Sequence, residues 1–309
     1  MKTTIAVVGF GDRSEQYTKY VLKHPEEGEV TAVVDPNPAR RGYAQRLFGL
    51  PEARCFSDFD SFIAAGRLAD CAINGTMDRL HVSTSLPLLR LGYDLLLEKP
   101  VTSDKEELLA LERTAKECGC RVIVCHVLRY TPYYRRIKEI LLSGELGEIR
   151  HIETAENVGV AHASVSYIRG KWNNSKACGS SYLLAKCCHD FDMICWLNDK
   201  SVPEKVVSFG GRNYFIPQTA PAGSGTRCLC DCPPAVEARC PYSARKIYLD
   251  NNPMPVIVWA GLGKLPGEET YEERLASLRG DNPHGRCIFK TDADLVDEQM
   301  TMLAFADGS

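Results

Sequence analysis

The feature that most constrains this chain is a regular alternation, over its first third, of short near-continuous apolar runs with amphipathic helical patterns. The run TIAVVGFG reads as a strand and SEQYTKYVLKH as a helix. EVTAVVD is a strand, NPARRGYAQRLFG a helix and DCAING a strand. A helix through HVSTSLPLLRLG, the strand DLLLEKP, a helix from Ser103 to about Cys118 and the strand RVIVCHV complete the series. Strands that are apolar on both faces and separated by helices are expected to form a parallel sheet covered on both sides. The fold class expected is therefore α/β, with a doubly wound parallel sheet at the N-terminal end.

The chain has 309 residues, too many for one ordinary core, and the texture changes after about residue 125. The reading is a parallel-sheet domain over 1–125 and a second α/β domain over 126–309. In the second part PYYRRIKEILLSG predicts a helix. GEIRHIETAENVG alternates like an exposed antiparallel strand, LLAKCCHDFDMICWL is helical, and a strand is expected near PEKVVSFGGRNYF. Residues 215–244, dense in Pro, Gly and Cys, read as a long excursion. EQMTMLAFADGS predicts a strand running into a turn, and the abrupt stop there is expected of a fragment of a longer protein.

Charge and hydropathy narrow the function classes. Lys plus Arg total 37 against 40 Asp plus Glu, a net charge of −3, which favours neither nucleic acid nor an anionic membrane surface. No apolar run approaches the ~18 residues of a membrane helix, and the N-terminal run ends in glycines, unlike a signal peptide. The expectation is a cytoplasmic protein, and self-association into a homo-oligomer is compatible with the full-length protein. Most of the 14 cysteines lie in apolar segments, as reduced buried thiols do.

Gly9 and Gly11 follow the first strand and open the next helix, with Asp12 and Arg13 beside them and Ser14 where a third glycine or alanine is usual. The first glycine allows a tight turn and the second lets a pyrophosphate approach the backbone at a helix N-terminus. Asp35, ending the second strand, can accept hydrogen bonds from ribose hydroxyls and repels a 2′-phosphate. NAD is thus favoured over NADP, with Arg40 and Arg41 keeping NADP open.

At LLLEKPVT the sequence resembles the Gfo/Idh/MocA oxidoreductases, through the Glu98-Lys99-Pro100 motif. Further matching features are the early Gly-x-Gly and NGTMDRLH with Thr76 and His81. RYTP with Arg129 and Pro132, and HDFDMICWL with His189, Asp192 and Trp196, also match. The resemblance implies a Rossmann domain joined to an α/β domain with a large open, mostly antiparallel sheet. It also implies hydride transfer between a nicotinamide cofactor and a hydroxyl carbon of a sugar, cyclitol or similar polyol. Gly9, Gly11, Asp12, Arg13, Asp35, Thr76, His81, Glu98 and Lys99 are then the candidate cofactor residues, and Lys99 is placed to hydrogen-bond the reacting oxygen.

On a wheel at ~100° per residue, Leu184, Cys187, Cys188, Phe191, Ile194 and Cys195 gather on one side, and Lys186, His189 and Asp190 on the other. The resemblance puts a general base at His189. Lys186 could tune it, act itself or stabilise an alkoxide, and Asp190 could orient the imidazole. A solvated polar face is the bland alternative. Many relatives carry Asp four residues before this His, a position held here by Ala185. Arg129, Tyr130, Asn157, His162, Trp172 and Asn173 are candidates to line the substrate cleft. Cys228, Cys230, Cys232 and Cys240 could hold a structural zinc, with Cys287 a substitute for Cys230; a disulfide or plain thiols are the alternatives. The leading function is an NAD-dependent oxidoreductase of a sugar-like small molecule. The others are an NAD-dependent glycoside-cleaving enzyme, working by transient oxidation, elimination and re-reduction, and a non-catalytic nucleotide-binding regulator.

Overall fold

The computed structural model describes residues 2–309. Six parallel strands form one sheet in the order β3-β2-β1-β4-β5-β6. They are β1 (Thr3–Val8), β2 (Gly28–Val34), β3 (Cys55–Phe56), β4 (Cys71–Asn74), β5 (Asp94–Leu97) and β6 (Val122–Val124). Helices α1 (Asp12–Lys23), α2 (Pro38–Phe48), α3 (Phe59–Ala64), α4 (His81–Arg90) and α5 (Lys105–Cys118) connect them. The strand order reverses between β1 and β4, and at such a switch point the crevice beyond the strands' carboxyl ends is the natural ligand site of an open α/β sheet.

The period-two alternation of β1 divides its side chains between two cores. Ala6 and Val8 pack with Ala32, Phe62, Leu89, Leu95 and Leu97 on one face, and Val7 packs with Phe10, Val33, Ala44 and Ile73 on the other. Local chemistry sets the helix starts. Asn37 caps α2 by accepting from the amides of Ala39 and Arg40, with Pro38 at the first helical position. Asp104 caps α5 through the Glu107 amide. Side-chain acceptors at these positions satisfy amides that have no intrahelical partner.

Beyond the sheet, α6 (Pro132–Leu142) is capped by Thr131. It is pinned to the helix Cys188–Leu197 by the buried Lys138, which donates to the Trp196 carbonyl at 2.7 Å. An antiparallel pair, β7 (Pro203–Gly211) with β8 (Glu298–Phe305), forms the second sheet. That sheet has two strands, smaller than the large open sheet expected. The 147–159 segment, expected as a strand, has no regular structure. Its alternation supplies one face of a strand but no neighbouring strand ladders with it, and an isolated strand has nothing to satisfy its backbone. The Cys-rich excursion is folded: Phe215 and Tyr242 stack against Phe289 in a small core with Ile168, Cys287 and Ile288. No helix among the described residues is long and apolar enough to cross a membrane.

Candidate functional site

The glycine loop is built by close contact. Gly9 has φ +82°, and a Cβ there would stand 2.7 Å from the Gly75 carbonyl oxygen, so the loops after β1 and β4 can meet only with glycine at this position. Ser14 explains how the chain does without a third glycine: its buried hydroxyl donates to the Gly9 carbonyl at 2.6 Å. Gly11 is different. It precedes α1 with no side-chain cap, and a Cβ on it would meet nothing within 4 Å. The free amides of the first turn of α1 therefore face open space, the cradle a dinucleotide pyrophosphate requires. Asp12 and Arg13 lie exposed on that first turn.

Two residues expected to touch the cofactor are committed to the protein. Asp35 is 3% exposed and accepts from the Phe10 amide and the Asn37 amide, each at 2.8 Å. It braces the glycine loop. His81 is buried, its ring spanning the Pro100 carbonyl at 2.6 Å and the Thr76 carbonyl at 3.1 Å. It ties the turn after β4 to the turn after β5. Thr76 itself donates to Asn74 Oδ1 at 2.8 Å.

The Glu98-Lys99 turn leaves β5 at its carboxyl end. Glu98 accepts from the Tyr17 hydroxyl, from Arg13 Nε at 3.5 Å and from the Lys99 amide at 3.1 Å. Lys99 Nζ donates to the Ala185 carbonyl at 2.6 Å, reaching across to the π-helical turn Leu183–Cys187 that leads into the helix Cys188–Leu197. His189, in the first turn of that helix, is held neutral: burial, then the charges of Lys99, Lys186, His126 and Arg13, push it down to about 4. Its Nδ1 is buried with no hydrogen-bond partner. His126, from the end of β6, stands with its ring centroid 6.5 Å from that of His189. It was not among the expected residues, although its position after a parallel strand was the available signal.

The π turn changes the phase of the helix, so the 100° wheel does not hold through residues 183–187. Asp190 does not contact His189. It lines, with Cys187, Phe191 and Ile194, a cavity of about 740 Å³ on the other side of the helix, together with Glu156, Asn157 and Tyr182. Burial, and then Glu156, raise the Asp190 carboxyl, and its Oδ2 has no partner. Lys186 pairs with Glu156 at 3.3 Å. Burial pushes both Cys187 and Cys188 up to about 11, so the adjacent thiols are protonated and unreactive at neutral pH. The large cavity contains neither Lys99 nor His189. The titratable groups beside the glycine loop gather in the cluster at the strand ends, outside that cavity.

Of the expected substrate residues, His162 lies among the charges of Lys186, Glu156 and Lys99, its basicity lowered by burial and then by Lys186. Arg129 is taken by a bidentate bond to Asp192, 2.8 Å from Nε and 2.5 Å from Nη2. Trp172 Nε1 donates to Asp78 and Asn173 Nδ2 to Asp292, both at 3.0 Å. Tyr130 is 61% exposed. Cys230, expected with the cysteine cluster, is exposed and donates to the Arg279 carbonyl at 3.2 Å; Cys287 stands in its place beside Cys228, Cys232 and Cys240.

A doubly wound parallel sheet with a glycine loop at the switch point between β1 and β4 defines a dinucleotide-binding fold. The chain belongs to the GFO/IDH/MocA family. The model of its NAD-binding Rossmann fold matches residues 3–126, and that of its C-terminal domain matches 134–220. The chain is 30% identical over 227 residues to the protein YteT of Bacillus subtilis (strain 168), covering 70% of this chain and 51% of that one. It is 24% identical over 209 residues to an inositol 2-dehydrogenase of Corynebacterium glutamicum (strain ATCC 13032), covering 66% and 57%. The WlbA dehydrogenase of Bordetella pertussis, solved with NADH and UDP-GlcNAcA, superposes with a TM-score of 0.59 at 21% identity over 69% of this chain and 64% of that one. The chain thus spans roughly half to two thirds of the length of these relatives.

Proposed function

We propose that this chain carries the cofactor and acid/base centre of an NAD-dependent oxidoreductase acting on a hydroxyl carbon of a sugar or cyclitol. The observation that supports it best is His189, held neutral among cations and with an unpartnered buried Nδ1, at the carboxyl ends of the strands that also present Gly11 and Lys99. NAD, when bound, supplies the hydride acceptor. The amides at the start of α1 hold its pyrophosphate, and Glu98 fixes Arg13, Tyr17 and the Lys99 turn around it.

Neutral His189 accepts the substrate hydroxyl proton as the carbon loses hydride, and in the reverse direction returns it. An imidazole with so low an affinity for protons is a weak base in isolation. Its low affinity comes from burial and from Lys99, Lys186, His126 and Arg13, in that order. A developing alkoxide between these groups is stabilised by the cations among them, Lys99, Lys186 and Arg13, which offsets the weak base. Lys99 is the residue proposed to hydrogen-bond the reacting oxygen. In this reading it exchanges the Ala185 carbonyl for the substrate.

The sugar or cyclitol class rests on what the relatives are named for, an inositol dehydrogenase and a dehydrogenase solved with UDP-GlcNAcA. The test is incubation with NAD and a panel of free sugars, cyclitols and glycosides, following NADH and released aglycone together. NADH without aglycone supports the proposal; aglycone without net NADH contradicts it in favour of the glycoside-cleaving reaction.

A further inference from the structure

We propose that Cys228, Cys232, Cys240 and Cys287 form a structural tetrathiolate zinc site, whose counter-cation is the buried Arg169. The four residues wall one cavity of about 20 Å³, room for a single small occupant. Each lies in a segment with backbone hydrogen bonds of its own. The Cys228 amide donates to the Gly285 carbonyl at 3.0 Å and the Cys287 amide to the Thr226 carbonyl at 2.7 Å, around the antiparallel bridge of Arg227 with Arg286. Asp231 closes the turn before Cys232 by accepting from the amides of Thr226 and Arg227. Cys240 follows the short helix Pro234–Arg239. The turn that brings Cys228 and Cys232 to the cavity leaves Cys230 outside.

Arg169 is the independent observation. Its guanidinium is wholly buried and makes bonds to the Arg286 carbonyl, Ser164 Oγ, the Tyr248 hydroxyl, the Tyr242 carbonyl and, at 3.5 Å, Cys228 Sγ. None of these acceptors is a carboxylate. A buried cation without an anion is strongly destabilising, and of its acceptors only the Tyr248 hydroxyl and the Cys228 thiol can become anionic; the thiol, the more acidic of the two, belongs to the cluster. Binding Zn²⁺ releases the four thiol protons and leaves a tetrathiolate centre of net charge −2, so the Arg169 charge is then balanced within the same core. The sulfurs stand wider than tetrahedral ligation requires, no three of them lying within 4.8 Å of one another among the described residues. Capture of the ion therefore contracts the loop around the cavity.

The experiment is metal analysis of the intact protein, expressed in zinc-supplemented medium and passed over a desalting column with a weak chelator. One zinc per chain is expected, retained in Cys230→Ser and lost in Cys287→Ser. No stoichiometric zinc, or a dependence on Cys230 in place of Cys287, overturns the proposal, as does a disulfide within the cluster found by mass spectrometry of the unreduced protein. Because loss of Cys287 can also unfold the protein, wild-type protein refolded with Co²⁺ provides a second reading. Sulfur-to-cobalt charge-transfer bands with tetrahedral ligand-field bands are expected, and cobalt bound without them contradicts the site.

Discussion

Lys99 Nζ donates to the main-chain carbonyl of Ala185 at 2.6 Å. This one bond joins the turn at the end of β5 to the π-helical turn before His189, so two stretches 86 residues apart form one site. It leaves the lysine held by the backbone of residue 185, the position where the resemblance implies a carboxylate in many relatives, and not by a side chain.

Restoring that carboxylate should harm this protein. Ala185 is 4% exposed and packs with Tyr167 and Leu295, so Ala185→Asp places an acid against apolar groups. The expected loss is about 1–3 kcal/mol, the cost of burying a polar group without a partner, read by denaturant unfolding. A variant as stable as the parent means that the side chain turns toward Lys99.

The two glycines of the first loop should separate stability from cofactor binding. Gly9→Ala meets the Gly75 carbonyl at 2.7 Å in a left-handed conformation and should lower the melting temperature. Gly11→Val projects into open space, so folding should be nearly unaffected while NAD affinity, measured by calorimetry, falls at least tenfold. Unchanged affinity in Gly11→Val would remove the pyrophosphate from this helix end.

Lys186 depresses the basicity of His189. Removing its charge in Lys186→Met relieves part of the penalty on the imidazolium, and the His189 titration should move up from about 4 toward the ordinary histidine range near 6.5. NMR of labelled histidine reads this directly; a downward or absent shift rules out the coupling.

Acid should unfold the protein through its buried histidines. His189 and His284 are each pushed down to about 4, first by burial. Between that value and about 6.5, the unfolded chain binds more protons than the folded one. Stability therefore rises with pH across the window, is fully present above it, and is lost as pH falls toward 4. His284→Gln should flatten the slope of melting temperature against pH; an unchanged slope would assign the effect elsewhere.

How far the sequence reveals this architecture depends on the kind of interaction. The parallel sheet is legible because β1, β2, β4 and β5 carry their pattern within single segments, and the Gly9 turn because only glycine tolerates its conformation. The two-residue β3 and the short α3 are too brief for any period to show. The unpaired 147–159 segment fails as a strand because pairing is a property of two segments. At the site, Lys99 and His189 are reached through the resemblance to the family. The π turn is not, since it shifts Asp190 by packing that no local pattern records. Arg129, Trp172 and Asn173 have the chemistry of ligand contacts, yet partners distant in sequence take their polar atoms.

The central claim is hydride transfer at a Lys99-His189 centre. The most direct measurement is NADH formation from NAD and a sugar or cyclitol substrate by the parent protein, Lys99→Met and His189→Ala, with NAD affinity measured on the same samples. The account predicts turnover in the parent and a loss of roughly 10²–10⁴-fold in each variant, with NAD affinity retained. Turnover undiminished in both variants, or aglycone release from glycosides without net NADH, would contradict it.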